Sequence, residues 1–131
     1  MRIEKALVAY LIADSGLKSL IDKRLYAFHA QTQVQFPFIT YQRVSTAKVL
    51  THDLGETTLT SVRIQFDIYS KTYANALAIT DALREALQGY RGTMSGVDVQ
   101  SVLPALEQHV DEPDMDYYRV TVDYLISHTE E

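Results

Sequence analysis

Four histidines, His29, His52, His109 and His128, are the side chains of this 131-residue chain best suited to move a proton near neutral pH. No two stand four apart, the spacing of a helical zinc pair, and no GxSxG serine offers them a nucleophile. The chain has no cysteine, which removes thiol nucleophiles, cysteine-ligated zinc, iron–sulfur clusters and a disulfide scaffold. Asp111, Glu112, Asp114 and Asp116 cluster near His109 and could attract a divalent cation. Counting from Asp111 or Asp114, however, finds neither the sixth-position glycine nor the twelfth-position glutamate of a calcium loop, so the cluster reads as a solvated turn. Gly89-Tyr90-Arg91-Gly92 fits the GXXG pattern that clamps nucleic-acid backbone between two helices, but a turn and strand follow it, so it reads as a helix C-cap plus a turn glycine. Tyr41 with Arg43, Arg63 with Tyr69, and Tyr117-Tyr118-Arg119 could stack bases, yet no basic-aromatic consensus surrounds them and the net charge of −5 repels phosphate. No catalytic, cofactor or metal site is expected, and the chain reads as a non-enzymatic protein.

The elements that carry these residues follow from periodicity. Ile3, Ala6, Leu7, Tyr10 and Leu11 mark one face of an opening helix that Gly16 would stop, and Leu17, Leu20 and Ile21 predict a short further turn before Arg24-Leu25-Tyr26 becomes extended. Phe38 to Val44 is β-branched and aromatic, and Pro37 belongs to the loop before it. Val62, Ile64, Phe66 and Ile68 alternate with Arg63, Gln65, Asp67 and Tyr69, a strand with one buried face. The polar segment Thr46 to Thr58 between these strands is long for a hairpin loop, and is either a protruding β-arm or a mobile loop.

A second helix, capped by Ser70 or Thr72 and ended by Gly89, carries Tyr73, Ala76, Leu77, Thr80, Leu83 and Leu87 on one stripe. Gly92 and Gly96 bracket a turn, Val97 to Leu103 alternates until Pro104 forces an edge or bulge, and Tyr118 to Ile126 alternates after the Asp111–Asp116 turn. The expected fold is therefore α+β: a four-stranded, mainly antiparallel sheet of two hairpins, with two principal helices packed on one face, in the order α-β-β-α-β-β. A length of 131 residues with 47% hydrophobic side chains suits one domain, residues 1–131, with its own core. No apolar run reaches the ~20 residues of a membrane span, and Arg2, Glu4 and Lys5 make the N-terminus unlike a signal peptide.

The arrangement resembles the bacteriophage tail-completion proteins, which are related to the head-to-tail joining and tail-terminator proteins of phages and prophages. The resemblance rests on Ala13-Asp14-Ser15-Gly16-Leu17, Arg24-Leu25-Tyr26 and Phe36 through Val44, then on Arg63 through Tyr73 running into the alanine-rich helix, Tyr90-Arg91-Gly92, and Tyr118 through Tyr124. It implies a structural virion protein that completes the tail at its head-proximal end as a ring, commonly a hexamer, with the tail tube protein and a neck or connector protein as partners. It implies no cofactor and no membrane, DNA passing through the lumen without specific binding, and a place in the virion tail or neck after assembly in the host cytoplasm. On this reading Thr51, His52, Asp53, Leu54 and Glu56 are candidates for contact with other subunits or the tail tube, since loops on a rigid sheet often carry recognition. Asp111, Glu112, Asp114 and Asp116 are candidates for an acidic lumen or partner surface. The other reading is a non-enzymatic α/β interaction module that binds protein or RNA.

Overall fold

The alternation between Thr58 and Ser70 makes the spine of the molecule. In the computed structural model, which describes residues 2–30, 34–50, 58–112 and 115–129, Val62, Ile64, Phe66 and Ile68 are fully buried while the residues between them are half-exposed. The elements in chain order are α1 (Ile3–Ala13), α2 (Ser15–Ile21), β1 (Leu25–Ala27), β2 (Phe38–Leu50), β3 (Thr58–Ser70), α3 (Tyr73–Leu87), β4 (Gly92–Met94), β5 (Val97–Glu112) and β6 (Tyr117–Thr129). They build one six-stranded sheet of order β1-β2-β3-β6-β5-β4, antiparallel except where β1 runs parallel to β2.

The four-stranded sheet expected from the sequence is thus corrected to a six-stranded mixed sheet, and the order α-β-β-α-β-β to α-α-β-β-β-α-β-β-β. Both extra strands have three residues, too few for a period of two to stand out. β1 is the extended Arg24–Tyr26 segment finding a partner, with Leu25 opposite Ile39. β4 lies inside what reads as a turn, because Gly92 is its first residue. The true turn is Ser95-Gly96, both at positive φ (47° and 88°), the conformation of a tight two-residue hairpin that matches strand twist.

α2 is the third helix, and Gly16 sits in its first turn instead of ending α1. What separates the two helices is Asp14, whose extended backbone closes α1 while its carboxylate accepts from the Leu17 N–H at 3.0 Å. Thr72 caps α3 by accepting from the Asn75 N–H, and Gly89 follows the helix at φ 78°. The buried stripe of α3 uses Ile79 where the sequence pattern suggested Leu77.

Side chains from all three helices meet the inward faces of the strands in a single apolar cluster. The two long hairpins, β2–β3 and β5–β6, are joined by the β3–β6 ladder, which runs unbroken from Leu59↔Thr129 to Ser70↔Tyr118. Pro104 does produce a bulge: register slips between Pro104 and Leu106, and the strand continues to Glu112.

Candidate functional site

A sheet that ends in short strands leaves most of its outer edges open. β1 covers β2 at Ile39–Tyr41, and β4 covers β5 at Val97–Val99, with the Gly89 N–H reaching the Val102 carbonyl just beyond. Among the described residues, β2 past Tyr41 and β5 past Val102 therefore have no outer strand. Both edges expose large apolar side chains, Val44 (50% exposed) on β2 and Leu103 and Leu106 (55% and 44%) on β5. Bulges at Val44 and Ala105 interrupt each edge, and Pro104 removes an N–H, devices that blunt indiscriminate strand addition.

Beside the β2 edge, the outer face of α1 forms an apolar groove of about 540 Å³ lined by Val8, Ala9, Ile12 and Tyr41 and rimmed by Arg2, Glu4 and Lys5. Beside the β5 edge lies a smaller cleft of about 310 Å³, formed by Pro104, Ala105, Leu106 and Glu107 with Arg84, Gln88, Asp123 and Tyr124.

The sheet face turned away from the helices is also organised. Arg63 Nε donates to Asp123 Oδ2 at 2.8 Å, and Thr121 Oγ1 donates to Asp67 Oδ1 at 2.6 Å, tying β3 to β6. At one end Phe36, Phe38, Tyr69 and Tyr117 interlock with ring centroids 4.7–5.8 Å apart, and Lys71 Nζ lies 4.5 Å from the Phe36 centroid.

The structure disperses the residues singled out for chemistry. His29 lines a pocket beside the aromatic end, and His128 is buried, its Nδ1 against the Thr129 carbonyl. His109 belongs to neither; its Nδ1 meets the Tyr73 hydroxyl and its Nε2 meets Glu107 at 2.7 Å. The Tyr73–His109–Glu107 chain is exposed and links α3 to β5. Among the described residues no group of three or more His, Asp or Glu could hold a metal ion.

Thr51, His52, Asp53, Leu54 and Glu56 lie outside the described residues, as does Asp114. The strands flanking the first group are nevertheless paired up to Leu50↔Thr58, so Thr46–Leu50 is a β-arm. Asp111 and Glu112, expected in a turn, extend β5 opposite Tyr118 and Tyr117. Asp116 is exposed at φ 58°, its carboxylate 3.8 Å from Lys71 Nζ. The exposed edge residues Val44, Leu103 and Leu106 escaped the sequence reading because an alternating apolar residue looks the same whether its face is covered or bare.

Glu4 bridges α1 to the β2 edge by accepting from Arg43. Burial pushes its carboxyl up, but the hydrogen bond and charge of Arg43 outweigh this and leave it below its ordinary value of 4.5. A carboxyl that titrates lower when folded adds stability above the unfolded value, and that increment is lost as pH falls through the folded one. Glu4→Gln is expected to cost about 0.5–1 kcal/mol at pH 7, with the difference vanishing by about pH 3. Urea melts at both pH values check this, and a deficit that persists in acid refutes it.

Among the described residues these edges and grooves are largely apolar. The family described as Tail completion protein gp17 matches residues 5–129. Among solved structures, a chain from "Virion of native gene transfer agent (GTA) particle" shares the fold at TM-score 0.82 and 14% identity, with 98% of this chain and 95% of that one covered. No curated protein gives a significant match.

Proposed function

Because this chain belongs to the tail-completion gp17 family and is a structural phage tail protein, we propose that it closes the head-proximal end of the tail as a ring and joins the tail to the head. The observation that carries this reading is the pair of open sheet edges, β2 past Tyr41 and β5 past Val102, on opposite sides of one rigid sheet. Two different patches facing opposite ways make a heterologous contact, and such contacts close into rings when the rotation between copies divides a full turn. The likeness to a virion chain supports a place among other particle proteins, here a tail tube protein below and a neck or connector protein above. Assembly takes place in the host cytoplasm. The ring size proposed is six.

DNA passes through such a ring, and a net charge of −5 keeps phosphates from adhering. The acidic residues Asp111, Glu112, Asp114 and Asp116 face the lumen or a partner on this reading, while Thr51, His52, Asp53, Leu54 and Glu56, between β2 and β3 in the sequence, touch a subunit or the tube.

The test is electron microscopy of particles made without this gene. Separate heads and tails of irregular length are expected, and intact infectious particles would refute the role. Complementation with lysine at the four acidic positions should restore joined particles that eject DNA more slowly; unchanged ejection removes the acidic-surface assignment and leaves the joining role standing.

A further inference from the structure

The two open edges differ in charge as well as position. β2 carries Arg43 and Lys48 and no acidic residue, whereas β5 carries Asp98, Glu107, Asp111 and Glu112 and neither lysine nor arginine. The groove next to β2 has Arg2 and Lys5 at its rim, with Glu4 between them paired to Arg43. The cleft next to β5 is lined by Glu107 and Asp123 from the sheet and by Arg84 from α3, and the buried Asp123 is already paired with Arg63. Direction also fits. β2 and β6 run one way and β3 and β5 the other, so a copy rotated about an axis along the strands presents its β5 antiparallel to the first copy's β2.

We propose that copies of this chain join head to tail, with the β2 edge and α1 groove of one seated against the β5 edge of the next. Leu103 and Leu106 meet Val44 and the Val8–Ile12 groove, while the basic rim at Arg2 and Lys5 faces Glu107. Side chains carry the contact. Pro104 offers no N–H, and the bulges at Val44 and Ala105 break the backbone spacing that an uninterrupted ladder between copies would need. The inference rests on the ring reading above and specifies the surfaces that make it.

A chain without cysteine allows a clean cross-linking test. Val44→Cys and Leu106→Cys are placed together in one chain, at sites 50% and 44% exposed where folding is little disturbed. Oxidation is carried out on concentrated full-length protein and on particles. Head-to-tail contact predicts a ladder on non-reducing electrophoresis that ends at the closed ring and collapses to monomer when thiol is added, and mixed single variants predict one dimer band. The pair Ala47→Cys and Leu103→Cys, both exposed and in the same antiparallel register, provides a second reading of the same contact.

Dimers formed as readily by Val44→Cys alone would reveal a two-fold contact and overturn the proposal. So would the absence of product from both pairs in both samples. The fate of the functional reading is scored separately. A double variant that completes tails yet gives no cross-link when those particles are oxidised removes this interface and keeps the function; intact particles without the gene remove the function, and the ladder still decides the contact.

Discussion

Phe66→Ala lowers the free energy of unfolding by about 3–5 kcal/mol, the cost of removing a fully buried aromatic ring and leaving its space unfilled. Phe66 is 0% exposed, lies opposite Tyr41 on β2 and Val122 on β6, and meets Tyr124 edge-on with ring centroids 6.1 Å apart. Few positions touch both hairpins and the helix layer at once. Against a typical total of about 5–15 kcal/mol, this loss takes the domain to the margin of folding. Phe66→Leu refills most of the volume and should cost clearly less. Denaturant midpoints of the two variants check the claim, and a loss below about 1 kcal/mol for the alanine would mean that β3 is not the packed spine described above.

That spine was legible in the sequence because Val62 to Tyr69 repeat one period, with Val62, Ile64, Phe66 and Ile68 all buried, although the strand begins earlier, at Thr58, inside the segment that reads as polar. α3 was legible for a similar reason, with Thr72 before it and Gly89 after it as chemical punctuation. β1 and β4 were not, since three residues cannot display a period, and what makes them strands is a neighbour distant in sequence: Ile39 for Leu25 and Val99 for Gly92. Asp14 and Gly16 illustrate a different failure. Glycine is the stronger general stop signal, yet here an aspartate cap restarts the helix one residue earlier, and the glycine is carried inside it.

The assembly surfaces were less visible still. Leu103 looks like a core residue of an alternating strand and Leu106 falls beyond Pro104, where the alternation read from the sequence stops, and only the order β6-β5-β4 shows that both lie on an outer edge with about half of their surface exposed. Carboxylates drew the eye to the β5–β6 turn, but two of them, Asp111 and Glu112, turn out to belong to the strand. Composition reports how much charge a chain has; topology decides which edge carries it. The segregation of basic residues to β2 and acidic residues to β5 emerges once the strand order is known.

Arg63→Leu is expected to destabilise by about 2–3 kcal/mol, more than Asp123→Asn at about 1 kcal/mol, although the two changes break the same bond. The asymmetry follows from burial. The Asp123 side chain is 6% exposed and that of Arg63 35%, so removing the arginine strands a charge away from water, whereas removing the carboxylate charge leaves a guanidinium that can turn outward. The arginine figure is set below that of a fully buried pair for the same reason. Combining Arg63→Leu with Asp123→Val removes the stranded charge and should recover at least half of the loss. Equal single costs, or a double variant as unstable as the sum of both, would defeat the argument. Because Arg63 and Asp123 lie on β3 and β6, their bond spans the junction between the hairpins, as does that of Thr121 with Asp67. A subunit that is to close a ring needs its two edges held at a fixed angle, and this junction is where that angle is set. The Arg63→Leu chain should therefore yield fewer closed rings in the cross-linking test than its loss of stability alone accounts for, with open ladders in their place; closed rings in proportion to folded protein would show that the angle is set elsewhere.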